Sequence, residues 1–162
     1  MLDIKTLGEP ILRQKVALVP VIDEKIKRLA LEMLETMREG RGVGLAGPQV
    51  DFNGRIFVCQ VPNDKPRVFI NPEIISTSQE TVVFEEGCLS VPRVYADVVR
   101  AAGVTVQAWD ENGKAFTLEA GGYLCRVILH ETDHLNGKLF IDYLSPKKKE
   151  RLLKQYEKKK KQ

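Results

Sequence analysis

A chain of 162 residues and 18.3 kDa, 43% hydrophobic and 29% charged, can bury a core of its own and excludes a disordered or fibrous protein. Its three cysteines, Cys59, Cys88 and Cys125, follow an N-terminus with no basic-then-apolar leader. We therefore expect free thiols in a reducing, cytoplasmic setting, with no disulfide framework, targeting segment or membrane span. The net charge of +3 is uneven: nine Lys/Arg against two Glu between Lys147 and Gln162 put a +7 tail on a −4 body.

Residues 24–38 predict an amphipathic helix, with Ile26, Leu29, Met33, Leu34 and Met37 at helical spacing, Asp23 as N-cap and Gly40 as stop. Gly42-Val43-Gly44-Leu45-Ala46-Gly47-Pro48-Gln49 is too rich in glycine and proline for a regular element and predicts a shaped loop. Short strands are expected at Arg55–Val61, Arg67–Ile70, Glu80–Phe84, Val98–Arg100, Val104–Trp109 and Ala115–Leu118, the last two joined by a hairpin turn at Glu111-Asn112-Gly113. Gly121-Gly122 ends the strand pattern, and Tyr123–Leu135 predicts a largely apolar helix stopped by Asn136-Gly137. Ser145-Pro146 opens a last, basic helix. The expected class is α+β. Antiparallel or mixed sheets surround a central helix, and residues 1–146 form one catalytic domain followed by a basic helix or tail at 147–162.

The central helix carries His130-Glu131-Thr132-Asp133-His134. Residues four apart share a helix face, so both imidazoles can reach one ion. Glu131 stands about 100° round the helix, where it can bond a water activated by that ion. A divalent ion can bring such a water to a pKa of about 7. Apart from a metal, two histidines in an apolar helix have little reason to be buried.

A catalytic site needs a third protein ligand. The long zincin pattern fails, because Phe140 stands where its third histidine belongs. Asp142, Glu150 and Glu157 are downstream carboxylates, with Asp142 expected on a strand and the glutamates in the basic tail. Cys125 lies about 140° from His130 on the helix and reads as core, as does Cys59 within an alternating strand. Cys88, between Gly87 and Pro92 at a strand end, reads as a presented thiol and a natural third ligand beside two histidines, with a buried or merely reactive thiol as the alternative.

Three segments together, Gly42–Gln49, Glu86-Gly87-Cys88-Leu89-Ser90 and His130-Glu131-Thr132-Asp133-His134-Leu135, resemble peptide deformylase of the bacterial type. The likeness runs from Leu7-Gly8-Glu9-Pro10 to Phe140-Ile141-Asp142-Tyr143-Leu144-Ser145-Pro146. It implies an enzyme that hydrolyses the formyl group from the N-terminal formyl-methionine of new polypeptides. Carried over, Cys88, His130 and His134 bind one divalent ion, expected to be Fe2+, with Ni2+, Co2+ or Zn2+ as substitutes. Glu131 is the acid/base, and Gln49 with the Leu89 backbone N–H holds the oxyanion. Val43 and Gly44 meet the substrate backbone, and Val127 either lines the methionine pocket or is ordinary core. Glu86 and Arg100 form either a site-orienting pair or a surface salt bridge worth under about 1 kcal/mol. Gly47 departs from the family's alanine, an expected loosening of the loop, and Leu129 departs from its glutamine. The expected partners are formyl-methionyl nascent peptides and, through the basic helix, the ribosome, with no membrane and no specific nucleic acid.

Two rival readings remain open on sequence. A general zinc peptidase would draw its third ligand from downstream, and a basic binding module would use the tail on nucleic acid. The glycine-rich loop lacks the Gly-Lys-Ser/Thr ending of a phosphate cradle.

Overall fold

Helix α1 (Glu24–Glu39) begins where the Asp23 carboxylate accepts the Ile26 N–H, and it stops at Gly40. In the computed structural model, which describes all 162 residues, two further helices and seven strands follow. They are β1 (Gly44–Ala46), β2 (Ile56–Cys59), β3 (Arg67–Thr77), β4 (Thr81–Cys88), β5 (Val91–Ala101), β6 (Gly103–Trp109), β7 (Ala115–Gly121), α2 (Gly122–Leu135) and α3 (Pro146–Lys160). Every pairing is antiparallel. One sheet has the order β1-β2-β3-β6-β7, and β4 and β5 form a separate hairpin.

Alternation in β2 sets the layers. Phe57 and Cys59 point to one face, where Cys125, Val127, Ile128 and Leu135 of α2 pack. Ile56 and Val58 point to the other, against Ala30, Met33, Leu34 and Met37 of α1. The five-stranded sheet is thus sandwiched between two helices. A third core, of Val91, Val94, Val98, Leu139, Phe140 and Ile141, is closed by Leu152 and Tyr156 of α3. That last helix opens as expected, with Ser145 accepting the Lys148 N–H and Pro146 in its first turn. It lies on β5 by its apolar stripe and turns its lysines outward.

Three local expectations need correction. Residues 42–49 are not a plain loop: Gly44, Leu45 and Ala46 pair with Cys59, Val58 and Phe57 as an edge strand, followed by a 3-10 turn at Gly47–Val50. β3 and β5 run well beyond the predicted strands. β3 carries Pro72 across a register shift between Ile70 and Glu73, and β5 carries Pro92 on a hairpin with open edges, the two places where strands tolerate proline. Asp142 sits in a 3-10 turn (Phe140–Tyr143), not on a strand. Its carboxylate accepts from the Leu139 N–H and from Arg13, so it is committed elsewhere.

Gly47 also acts differently from expectation. A Cβ there would stand 2.7 Å from the Gly54 carbonyl oxygen and 3.1 Å from that of Phe52. The missing side chain lets the turn before Gln49 close against backbone, so it tightens the loop. Gly47→Ala is therefore expected to destabilise the protein by about 1–3 kcal/mol, the usual range for overpacking. A urea titration checks this. A gain of about 0.4–1 kcal/mol, as unfolded-state entropy alone would give, would contradict it.

Candidate active site

α2 buries both of its histidines: His134 is 1% exposed and His130 9%. β4 ends at Cys88, just past a register shift after Glu86, and the slip swings the thiol toward the helix. Cys88 Sγ lies 3.3 Å from His134 Nε2. One ligand atom from each of Cys88, His130 and His134 falls within 4.8 Å of the others, the grouping a single ion requires. The carboxylates Glu150 and Glu157 are exposed on α3 and outside this group.

The thiol is held from a second side. Gln49 Oε1 accepts the Ala46 N–H at 2.9 Å, which turns Nε2 toward the site. That nitrogen donates to Ser90 Oγ at 3.1 Å and lies 3.6 Å from Cys88 Sγ. The Ser90 N–H donates to the same sulfur at 3.4 Å. Leu89, at the tip between β4 and β5, has a backbone N–H that donates to no other protein group.

His130 Nδ1 donates to Glu86 Oε1 at 2.8 Å, which leaves Nε2 facing Cys88 and His134. Glu86 is itself buried and accepts from Arg100 at 2.6 and 3.0 Å and from Arg126 at 2.7 Å. Burial alone would raise its pKa, but the bonds from His130 and Arg100 outweigh that and hold the carboxyl far below the usual carboxylate range. Arg100 also donates to Asp133 at 2.8 Å, and the Tyr143 hydroxyl donates to the same Asp133 oxygen at 2.7 Å. The Glu86–Arg100 pair is therefore an enclosed part of the site, and the surface reading of it fails.

Glu131 points differently. Its Oε2 stands 3.9 Å from His130 Nε2, and its Oε1 is buried without a hydrogen-bond partner. Burial pushes this carboxyl up to about 7, the range of a general base at neutral pH. The side chain lies flat on Gly44, where any Cβ would collide with the carboxylate. That contact explains the glycine better than loop flexibility does.

A cleft of about 440 Å³ opens over these groups. Val43, Gly44, Gln49, Cys88, Leu89, Val127, His130 and Glu131 all line it, and His134 lies behind them. Leu129 is turned to the sheet-side core. The sequence reading missed Ser90, Arg126, Asp133 and Tyr143. Arg126 carried a signal, being a lone cation in an apolar helix one turn before His130.

The donor set fits a borderline-soft divalent ion: one thiolate, two imidazoles, a carboxylate orienting one imidazole, and an unpartnered carboxylate oxygen beside them. The family description "Polypeptide deformylase" matches residues 1–150. A peptide deformylase of Chromohalobacter salexigens is 47% identical over 149 residues, covering 91% of this chain and 88% of its own. The crystal structure of a peptide deformylase from Legionella pneumophila superposes with a TM-score of 0.94 at 41% identity, over 99% of this chain and 96% of that one. One from Ehrlichia chaffeensis, in complex with actinonin, gives 0.95 at 38% identity, over 100% and 99%. The chain belongs to the polypeptide deformylase family, hydrolases that act on the formyl amide of an N-terminal formyl-methionine.

Proposed function

We propose that Cys88, His130 and His134 hold one divalent ion, Fe2+ in the cell, and that Glu131, Gln49 and Leu89 carry out deformylation around it. The observation that carries this reading is the convergence of three ligand atoms, an unpartnered Glu131 oxygen and the Gln49 amide on one cleft, with Leu89 on its wall. The bound ion would supply Lewis acidity and a water of near-neutral pKa.

The residues divide the remaining work. Glu131 takes the proton of the attacking water, for which a carboxyl near pKa 7 is well matched. As the formyl carbonyl oxygen gains negative charge, the Gln49 amide and the Leu89 N–H donate to it from fixed positions. Glu131 then returns the proton to the leaving nitrogen, the formyl C–N bond breaks, and formate and a free methionine amine remain. The substrate enters as an extended strand. β1 is a sheet edge, so its free side at Gly44 can take the substrate backbone, with Val43, whose carbonyl accepts the Gln60 N–H, beside it on the cleft wall. Val127, on the cleft wall one turn before His130, borders the methionine side chain.

The chain works in the cytoplasm on nascent chains, and α3 provides ribosome contact. Leu152 and Tyr156 anchor that helix, while Lys154, Lys158, Lys160 and Lys161 are exposed for phosphates. Its charged face, not its fold, is the part to test. Replacing Lys158, Lys160 and Lys161 with glutamine is expected to weaken co-sedimentation with ribosomes several-fold and flatten its salt dependence. Hydrolysis of a formylated tripeptide should be unaffected. Unchanged co-sedimentation would remove the ribosome role.

Formate release from formyl-Met-Ala-Ser, with acetyl-Met-Ala-Ser as control, tests the chemistry. Glu131→Gln is expected to lose about 10²–10⁴ in kcat, and Gln49→Leu about 10²–10³. No formate from protein holding one metal per chain would overturn the assignment.

A further inference from the structure

Arg126 is 6% exposed, and its guanidinium finds every acceptor on the hairpin opposite. It donates to Glu86 Oε2 at 2.7 Å, to the Val98 carbonyl at 2.8 Å and to the Val82 carbonyl at 2.7 Å. Val82 and Glu86 belong to β4 and Val98 to β5, so one planar fork grips both strands. Arg126 and His130 are four apart on α2 and share a face. They bracket one carboxylate, His130 on Oε1 and Arg126 on Oε2. Glu86 is also the last regularly paired residue before the slip that presents Cys88.

Arg100 makes the reverse crossing, from β5 to Asp133 beside His134. Two guanidiniums therefore tie the hairpin to the helix in opposite directions. α3 packs on β5 over the third core, while Val83 and Val99 on the hairpin stay 59% and 56% exposed, and no residue of α2 belongs to that core.

We propose that Arg126 is a positioning residue for the metal centre: it clamps the hairpin that supplies Cys88 to the helix that supplies His130 and His134. This rests on the metal reading above. The three ligands come from two elements that only side chains hold in register, and ion affinity depends on that register. A buried arginine serving only the fold would change stability and leave the affinity of the folded protein alone.

The test is Co2+ titration of the apoprotein against a chelating indicator, with the thiolate-to-cobalt absorption band recorded and folding checked by circular dichroism. Arg126→Met keeps much of the volume and is expected to weaken cobalt binding by about 10–100-fold and to weaken or shift the thiolate band. Arg126→Lys keeps a charge but not the fork, and an intermediate loss is expected. Wild-type affinity and an unchanged band in folded Arg126→Met would overturn the inference. Should that variant not fold, Arg126→Lys carries the test on the same criterion. Failure of wild-type protein to bind cobalt would overturn the metal reading, and this inference with it.

Discussion

A carboxylate taken out of water must find compensating charge, and Glu86 organises this molecule because it finds three such partners. They come from different elements: Arg100 from β5, Arg126 and His130 from α2. Meeting the demands of one buried anion thus joins the hairpin to the central helix. It also settles the ring of His130, whose Nδ1 is spent on Glu86 and whose Nε2 is left for the centre. Removing one partner of such a group typically costs about 3–5 kcal/mol, so fold and site share a single constraint.

Glu131 is the counterpart, a buried carboxyl with one oxygen left unpartnered. Adjacent residues on α2 thus lead to opposite electrostatics. Glu86 is kept charged by its bonds from His130 and Arg100, while Glu131 is raised toward neutrality by burial. The glycines of the segment before β2 serve this arrangement. Gly44 lets the Glu131 carboxylate lie against backbone, and Gly47 lets the turn that aims Gln49 close on Gly54. Catalytic geometry here is built from close approaches of main chain as much as from side chains.

Much of this was legible in the sequence because its signals are local. The spacing of His130 and His134 needs only helical geometry, and the same angles assign Cys125 to the core, where it lies fully buried. Asp23, Ser145 and Gly113 mark two caps and a turn that form as written. Cys88 could be singled out because a glycine and a proline flank a lone thiol. What escaped is what depends on contacts between distant segments. The Arg126–Glu86 bond spans 40 positions and Arg100–Asp133 spans 33, so nothing nearby in sequence announces either. β5 was read short because its start carries a proline, although Val94, Ala96 and Val98 alternate there with exposed Arg93, Tyr95 and Asp97 as a half-buried strand should.

A strand-end thiolate and two helix imidazoles are proposed to meet at one ion. X-ray absorption at the metal edge of the iron- or zinc-loaded protein tests it most directly. One sulfur neighbour at about 2.3 Å and two imidazole nitrogens at about 2.0–2.1 Å are expected in the zinc form. The sulfur should vanish in Cys88→Ala while the nitrogens stay. A shell of nitrogen and oxygen alone in the unsubstituted protein would contradict it, and would return the third ligand to a carboxylate.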